Sequence, residues 1–181
     1  MSPALAHRLK DARYAMRARA HVDETTLVPA WQRYDGTLYR AAARALADVQ
    51  DHGLDMLIVS GGYGLVLAGE PIGIYDAIFR LSSWPRGLLE AVLIDYAHRR
   101  KLKSIRAITS ATGDYRKLLA RVRWAAAGAE DAMLLSPRAG TGAMVLSPRA
   151  QGEALTALLR GTMDASWSSS DGLQLDAHRM A

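Results

Sequence analysis

Residues 54 to 65 read LDMLIVSGGYGL, and this stretch decides the expected fold. Its first seven residues are a short, largely apolar run bounded by Gly53 on one side and by Gly61 and Gly62 on the other. Such a run is typical of a strand buried on both faces of a parallel sheet. In open α/β sheets, ligands bind beyond the carboxyl ends of the strands, where glycines allow close approach of the backbone. The sequence therefore predicts a central strand at 54 to 60 and a ligand site directly after it.

Helices and strands alternate beyond this stretch. Ser82 or Ser83 can cap a helix with Pro85 in its first turn. A strand, a basic helix and a further strand are then expected at residues 104 to 109, 115 to 124 and 132 to 136. This alternation indicates crossover connections. We therefore predict a single-domain α/β fold with a mostly parallel central sheet covered by helices.

The expected organisation has three segments: a basic N-terminal helix or arm at 1 to 28, an α/β domain at 29 to 162, and a loosely ordered tail at 163 to 181. Within the domain, apolar spacing predicts a helix at 37 to 51 that Gly53 ends. Two near copies, LLSPRAGTGA and VLSPRAQGEA, start at residues 134 and 145. The second Ser-Pro pair predicts the start of a helix at 149 to 161, whereas Gly140 and Gly142 interrupt the first copy.

Composition excludes several classes of function. The 181 residues include no cysteine, which excludes disulfides, thiolate metal sites and cysteine nucleophiles. The five histidines are scattered, so neither a metal nor a cofactor is expected. No Gly-x-Gly-x-x-Gly or Gly-Lys-Ser/Thr sequence supports a dinucleotide or P-loop site. No apolar run is long enough for a membrane span, and the expected location is the cytoplasm.

Positive charge is concentrated in one part of the chain. The formal net charge is +5, but residues 96 to 124 contain nine lysines and arginines against Asp114 alone. A local surplus of this kind is typical of a surface that contacts a polyanion, although a solvated helix end is an equal alternative. The predicted nucleic-acid contacts are Arg99, Arg100, Lys101, Lys103, Arg106, Arg116, Arg121 and Arg123.

Four sequence segments occur together in a characteristic order. They are YDGTLY at 34 to 39, SGGYGL at 60 to 65, IGIYD at 72 to 76, and Ser110 with the helix start Asp114, Tyr115 and Lys117. In order and spacing this arrangement resembles the YaaA family of bacterial peroxide-stress proteins. The resemblance covers nearly half of the chain.

The resemblance implies a YaaA-like fold, DNA binding, and protection of DNA during oxidative stress. Family members usually begin with a strand that carries a Ser-Pro-Ala-Lys-like segment, whereas this chain begins with a basic helix. The chain is therefore similar to a short, minimal branch of the family. A second chain that supplies the first strand is an alternative that the sequence leaves open.

The motif residues define a candidate ligand pocket for DNA or a nucleotide-like small molecule. Exposed tyrosines in it could stack on bases, and Tyr39 is instead expected in the core. The pocket residues are Tyr34, Gly36, Ser60, Gly61, Tyr63, Gly64, Tyr75, Asp76, Ser110, Asp114, Tyr115 and Lys117.

Two other classes of function compete with DNA binding. An aspartate beside a lysine and tyrosines could perform acid–base chemistry on a nucleobase or nucleoside, such as N-glycosidic bond cleavage. Alternatively, the N-terminal basic helix could bind an anionic surface or a protein partner.

Overall fold

The computed structural model of the chain describes residues 1–50, 55–138 and 143–180. These residues form a mixed α/β protein in which seven strands are distributed over three small sheets. Its helices are α1 (Pro3–Arg19), α2 (Ala30–Arg33), α3 (Thr37–Gln50), α4 (Leu88–Arg100), α5 (Asp114–Arg121) and α6 (Ala143–Leu159). Its strands are β1 (Asp23–Pro29), β2 (Leu57–Ser60), β3 (Gly64–Leu67), β4 (Pro71–Ile74), β5 (Ser104–Ile108), β6 (Asp131–Pro137) and β7 (Leu175–Arg179).

The first helix, α1, is docked on the rest of the protein. Ser2 Oγ accepts from Leu5 N–H at 3.3 Å, and Pro3 occupies the first turn, where its missing N–H costs nothing. Leu9 and Ala12 are buried in the main core. The helix expected at the N-terminus is confirmed, and it packs on the domain instead of projecting as a free arm.

The strand expected at the centre of a parallel sheet forms a hairpin. Gly64 has φ +76° and allows the chain to turn back at once, so β2 pairs antiparallel with β3, Ser60 opposite Gly64. Strands β1 and β4 form a second antiparallel pair. The prediction of a mostly parallel sheet is therefore wrong, because a four-residue strand followed by a tight turn favours local pairing over a crossover.

Parallel pairing occurs between β5 and β6, with Ser104 opposite Asp131. The strands predicted at 104 to 109 and 132 to 136 are thus confirmed. Strand β7 adds to β6 in the antiparallel sense, and Met180 after it is buried. A strand therefore occupies part of the segment expected to be a loosely ordered tail, because it covers the backbone groups of β6 that would otherwise form an open edge.

Helices α3 and α6 pack closely against each other. A Cβ on Gly152 would lie 2.2 Å from the Leu38 carbonyl oxygen, so only glycine permits this approach. Helix α6 begins at Ala143 and contains Pro148, so the start predicted at the second Ser-Pro pair is wrong: packing against α3 outweighs the local proline signal. Gly53, Gly140 and Gly142 lie outside the described residues.

Among the described residues, two groups of buried apolar side chains form the core. The larger joins α1, α4, α5 and the three-stranded sheet, with Leu88, Leu89 and Leu118 fully enclosed. The smaller lies between the β2–β3 hairpin and the β1–β4 pair and includes Val66 and Ile72. The β2–β3 hairpin lies between the two groups, so apolar side chains pack on both of its faces.

Candidate functional site

Hydroxyl groups of the predicted ligand pocket bond to one another. The Tyr75 hydroxyl lies 2.7 Å from that of Tyr34 and 2.6 Å from Ser60 Oγ. Ser60 Oγ also accepts from the Tyr63 N–H at 3.1 Å. Tyr39 stacks on Tyr34 with ring centroids 4.9 Å apart, and Tyr63 lies edge-on to Tyr75 at 5.8 Å. Tyr34, Tyr39, Tyr63 and Tyr75 thus form one tyrosine cluster around the buried Ser60.

The Tyr63 hydroxyl both donates and accepts a hydrogen bond. The hydroxyl donates to Glu24 Oε1 at 2.9 Å and accepts from the Gly73 N–H at 2.9 Å. Arg17 of α1 donates to the same Glu24 oxygen at 2.9 Å. Because Tyr63 is only 4% exposed, its ring has no free face on which a base could stack.

The turn between β2 and β3 is clamped by Arg13 of α1. The Arg13 guanidinium donates to the carbonyl oxygens of Tyr63, at 3.1 Å, and of Leu65. It also pairs with Glu70 at 2.8 Å, and Glu70 accepts from the Leu67 N–H at 3.1 Å. The sequence identified the turn but not this partner, since nothing in the pattern of α1 distinguishes Arg13 from its other arginines.

The glycines of the motif differ in what they require. A Cβ on Gly61 would lie 1.9 Å from the Ala77 carbonyl oxygen, and one on Gly64 would lie 2.6 Å from the Trp84 ring. Gly36 has open space around it. The first two glycines are therefore needed for packing around the turn, and no ligand is required to explain them.

Four of the remaining pocket residues follow the end of β5, which we name the carboxyl edge of the sheet: Ser110, Asp114, Tyr115 and Lys117. Asp114 opens α5, accepts from the Leu81 N–H at 3.0 Å and pairs with Lys117 at 3.0 Å. The Tyr115 ring packs against that of Phe79, with the ring centroids 5.1 Å apart. Ser110 donates to the Thr112 carbonyl oxygen at 2.6 Å. Asp76 is exposed and makes no hydrogen bond or ion pair within the described part of the chain.

The pKa shifts in this region favour fixed charges over proton transfer. Burial raises the pKa of Tyr34, Tyr39 and Tyr115, and the neighbouring Tyr75 hydroxyl raises each further. The bond from the Lys117 ammonium, together with the Leu81 amide, lowers the pKa of Asp114. At neutral pH the phenols are therefore neutral and Asp114 is ionised, so these groups suit hydrogen bonding better than general acid–base catalysis.

Half of the predicted nucleic-acid contacts are already paired with carboxylates. Lys103 lies 2.7 Å from Glu130, Arg106 pairs with Asp131, Arg99 lies 2.9 Å from Asp95, and Arg100 lies 2.7 Å from Asp55. Three of these four acids lie just outside the window 96 to 124, and Asp131 and Glu130 reach the patch through the β5–β6 pairing. The net positive charge of this surface is therefore smaller than the count along the sequence suggests.

The other predicted contacts gather where β5 and β6 begin, which we name the amino edge. Lys101 directly follows α4 and leads through Lys103 into β5. Arg121 is the last residue of α5, and Arg123 lies between α5 and β6. Lys101, Arg121 and Arg123 are exposed, and no ion pair joins any of them within the described residues. Arg116 differs, because its Nη1 is buried and finds no hydrogen-bond partner among the described residues.

Strand β7 brings one more cation to the amino edge. Arg179 lies opposite Met133, and among the described residues its guanidinium donates only to the Glu130 carbonyl oxygen, at 3.4 Å. The sequence missed this residue because it lies in the segment expected to be a tail. We use the name amino-edge surface for Lys101, Lys103, Arg121, Arg123 and Arg179, which together with Glu130 carry a formal charge of +4.

The amino-edge surface and the carboxyl edge lie at opposite ends of the β5 and β6 strands. Strand β5 has five residues, so its ends are roughly 13 Å apart at the usual rise per residue. Arg121 and Arg123 therefore cannot share a contact with Ser110 and Asp114. The sequence predicted basic residues flanking the ligand site, but the topology places the free cations at the other edge.

Two surface cavities lie away from the predicted pocket. One, of about 340 Å³, opens at the amino edge between Trp124 and Met180. The other, of about 330 Å³, lies between the end of α1 and the start of β1, beside Tyr14 and Arg17. Neither is lined by a residue of the predicted ligand pocket.

Two further observations bear on partners and cofactors. Within the residues that the structure describes, no group of three histidine, aspartate or glutamate side chains could hold a metal ion. None of the described helices combines the length and the apolar character needed to cross a bilayer. Comparison of the chain with family models, curated proteins and solved structures finds no match.

Proposed function

We propose that this chain is a YaaA-like DNA-binding protein that protects DNA during peroxide stress, and that it holds DNA on the amino-edge surface. The four ordered sequence segments support the family assignment. The observation that carries the binding proposal is the unpaired state of Lys101, Arg121 and Arg123, which the described ion pairs leave free at one edge of the sheet.

The physical reason is release of counterions. Each phosphate that a lysine or arginine neutralises frees a condensed cation from DNA, and this gain dominates sequence-independent binding. Paired cations such as Arg99 and Arg100 contribute less, because a carboxylate already neutralises them. Free cations on one surface therefore count for more than the total charge of the chain.

The tyrosine cluster has a supporting role in this proposal. Its hydroxyls bond to Ser60 and to each other, and Glu24 and Gly73 complete the bonds of Tyr63. These bonds brace the glycine-rich turn, which accounts for the spacing of the tyrosines in the motif. Tyr39 and Tyr75 of the cluster lie near Tyr115, which follows the carboxyl edge, so the proposal does not place DNA on the cluster.

An enzyme acting on a nucleobase or nucleoside has less support. Asp114 has a lowered pKa and is committed to Lys117 and the Leu81 amide. The tyrosines nearby have raised pKa values and remain protonated at neutral pH. These shifts move both kinds of group away from the neutral range in which general acids and bases are most effective.

Charge reversal tests the binding proposal directly. The double substitution R121E/R123E should lower affinity for duplex DNA about tenfold or more and reduce the slope of log affinity against log salt by about 2. Fluorescence anisotropy of a labelled duplex across a salt series measures both quantities. In cells, the same substitution should remove protection of DNA from strand breaks after peroxide exposure.

The matched control is R40E/R44E on α3, which changes the net charge equally at two other exposed arginines. Its affinity and salt slope should stay close to those of the native protein. An equal loss in both double variants would mean that net charge alone matters, and no salt-dependent binding by the native protein would end the proposal.

A further inference from the structure

The cavity at the end of α1 lies apart from the amino-edge surface. Its volume is about 330 Å³, which is at the lower end of the range found for pockets that hold small molecules. The last turns of α1 form one side, and the start of β1 forms the other. The lining residues are Tyr14, Arg17, Ala18, His21, Val22 and Glu24.

Tyr14 gives this cavity an aromatic ring that is open to solvent. The residue is 72% exposed, in contrast to Tyr63, which is 4% exposed. Tyr14 lies three residues before Arg17 and four before Ala18, so all three share one face of α1. An exposed tyrosine ring is a platform on which a flat ring can stack. The cavity therefore favours a planar ligand.

Arg17 and Glu24 form an ion pair that leaves hydrogen-bonding positions unused. Arg17 Nη1 donates to both Glu24 oxygens, at 2.9 and 3.2 Å, while its Nε and Nη2 donate to no group among the described residues. The Tyr63 hydroxyl donates to Glu24 Oε1, so Oε2 accepts from Arg17 alone within the described chain. The two side chains are 35% and 43% exposed, and ligand atoms can reach both. The pair thus presents donors directly beside acceptors.

The charge of Glu24 is fixed at neutral pH. The hydrogen bond from the Tyr63 hydroxyl, together with the Arg17 guanidinium, lowers the pKa of its carboxyl group. An ionised carboxylate only accepts hydrogen bonds, and a guanidinium only donates them. A ligand edge that matches this pair must carry donors on one half and acceptors on the other.

We propose that this cavity binds a guanine base. The edge of guanine carries in order an amino group, N1–H, O6 and N7, which are two donors followed by two acceptors. Glu24 accepts from the amino group and N1–H, Arg17 donates to O6 and N7, and the ring stacks on Tyr14. Adenine places an amino group where guanine has O6 and has no N1–H, so it opposes donor to donor at Arg17.

This inference goes beyond the proposed binding of duplex DNA. A free guanine nucleotide and an unpaired guanine in a single strand offer the same edge. In a duplex, cytosine covers that edge, so paired DNA does not compete for the cavity. The amino-edge surface and the guanine site can therefore be tested independently.

The test is calorimetric titration of the native protein with guanosine, adenosine and inosine monophosphates. The guanine nucleotide should bind at least about tenfold more tightly than the adenine nucleotide, and the inosine nucleotide, which lacks the amino group, should lie between them. Ala18→Leu fills the cavity and should abolish binding. The matched control Ala15→Leu changes an exposed alanine of α1 outside the cavity lining and should bind as the native protein does.

A second pair of variants tests stacking. Tyr14→Ala should weaken binding of the guanine nucleotide about tenfold, because it removes the ring. Tyr14→Phe keeps the ring and should leave affinity unchanged. Equal affinities of these two variants would contradict the assigned position of the base. Thermal unfolding of each variant checks that it remains folded.

A single-stranded oligonucleotide with one guanine among thymines distinguishes the two sources of the base, with a strand of thymines alone as its control. Binding of this strand without binding of the free nucleotide, if Ala18→Leu abolishes it, supports the guanine site and assigns it to single strands. Equal binding of guanine and adenine nucleotides, binding that Ala18→Leu retains, or no binding of either guanine ligand overturns the inference. R121E/R123E should bind the guanine nucleotide normally, so failure of duplex binding leaves this site intact.

Discussion

Tyr75 is the residue whose hydroxyl joins the two halves of the tyrosine cluster. It lies within hydrogen-bonding distance of both Tyr34 and Ser60, at 2.7 and 2.6 Å. Substitution of Tyr75 by Phe removes the shared group and leaves two partly buried hydroxyls with fewer partners. We expect Tyr75→Phe to lower the free energy of unfolding by about 1–2 kcal/mol, measured by urea denaturation.

The control for this substitution is Tyr14→Phe. Tyr14 is 72% exposed and its hydroxyl makes no hydrogen bond within the described residues, so its removal should change stability by less than about 0.5 kcal/mol. Equal effects of the two substitutions would show that the hydroxyl bonds around Ser60 contribute nothing measurable.

Two glycines of the motif should differ in how strongly substitution by alanine affects stability. In Gly61→Ala, the new Cβ would lie 1.9 Å from the Ala77 carbonyl oxygen. The backbone must move to remove this clash. We expect a loss of about 3 kcal/mol or more in the free energy of unfolding. Gly36→Ala meets no atom within 4 Å, and its only expected cost is that alanine is a poorer N-cap of α3 than glycine, so the stability should change by less than about 1 kcal/mol. Urea denaturation of both variants distinguishes a packing requirement from a general intolerance of the motif to substitution.

At the scale of elements, Arg13 joins α1 to the turn between β2 and β3, and this contact stabilises the fold. Arg13→Gln removes donors to the Tyr63 and Leu65 carbonyl oxygens and leaves Glu70 without its cation. We expect the free energy of unfolding to fall by about 2–3 kcal/mol. Arg8→Gln, an exposed change on the same helix, should alter it by less than about 0.5 kcal/mol. If Arg13→Gln were as mild as Arg8→Gln, α1 would be held by its apolar face alone.

Elements with a strong local signal could be predicted from the sequence. The helices α1 and α3 show apolar residues at helical spacing, and β5 and β6 are short apolar runs between polar segments. In these elements the residues that fix the conformation lie within one or two turns or within the strand itself. Local propensity and burial therefore point to the same structure.

Elements whose conformation depends on distant partners were predicted less well. The apolar run that ends at Ser60 fits a parallel strand and a hairpin strand equally, and its partner decides between them. The segment that forms β7 has no marked apolar pattern, because it pairs through its backbone with β6. Helix α6 extends through Pro148, since the close contact at Gly152 with α3 outweighs the local signal.

At the scale of the whole molecule, the sequence identified most members of both candidate sites, but it missed Arg179 and did not show how the two sites are related. Motif residues such as Tyr34, Ser60 and Tyr75 do come together, as their order in the chain suggested. The basic residues do not join them, because the parallel connection of β5 and β6 carries Arg121 and Arg123 to the opposite edge. Carboxylates from outside the basic segment then neutralise half of the predicted contacts. The first effect arises from topology, and so do the pairs that β5 and β6 bring together, whereas Asp95 pairs with Arg99 within α4 and was missed because it lies one residue before the counted segment.

Buried phenols make the stability of the whole molecule sensitive to alkaline pH. Burial raises the pKa of Tyr34, Tyr39, Tyr63, Tyr96 and Tyr115, that of Tyr96 to about 12. A phenol with a raised pKa in the folded state binds its proton more tightly there than in the unfolded chain, where the pKa is about 10. Its contribution is complete below about pH 10 and is lost as the pH rises toward the folded value.

We therefore expect the free energy of unfolding, measured in urea, to stay level from pH 8 to about 9.5 and to fall steeply above about pH 10. Phenolate absorbance should rise together with the loss of folded protein, because these tyrosines ionise mainly on unfolding. Tyr39→Phe removes one such proton and should flatten the slope by at most about 1.4 kcal/mol per pH unit. If phenolate absorbance instead rose fully near pH 10 while the protein stayed folded, the cluster would be open to solvent, and its tyrosines would again be candidates for direct contact with a ligand.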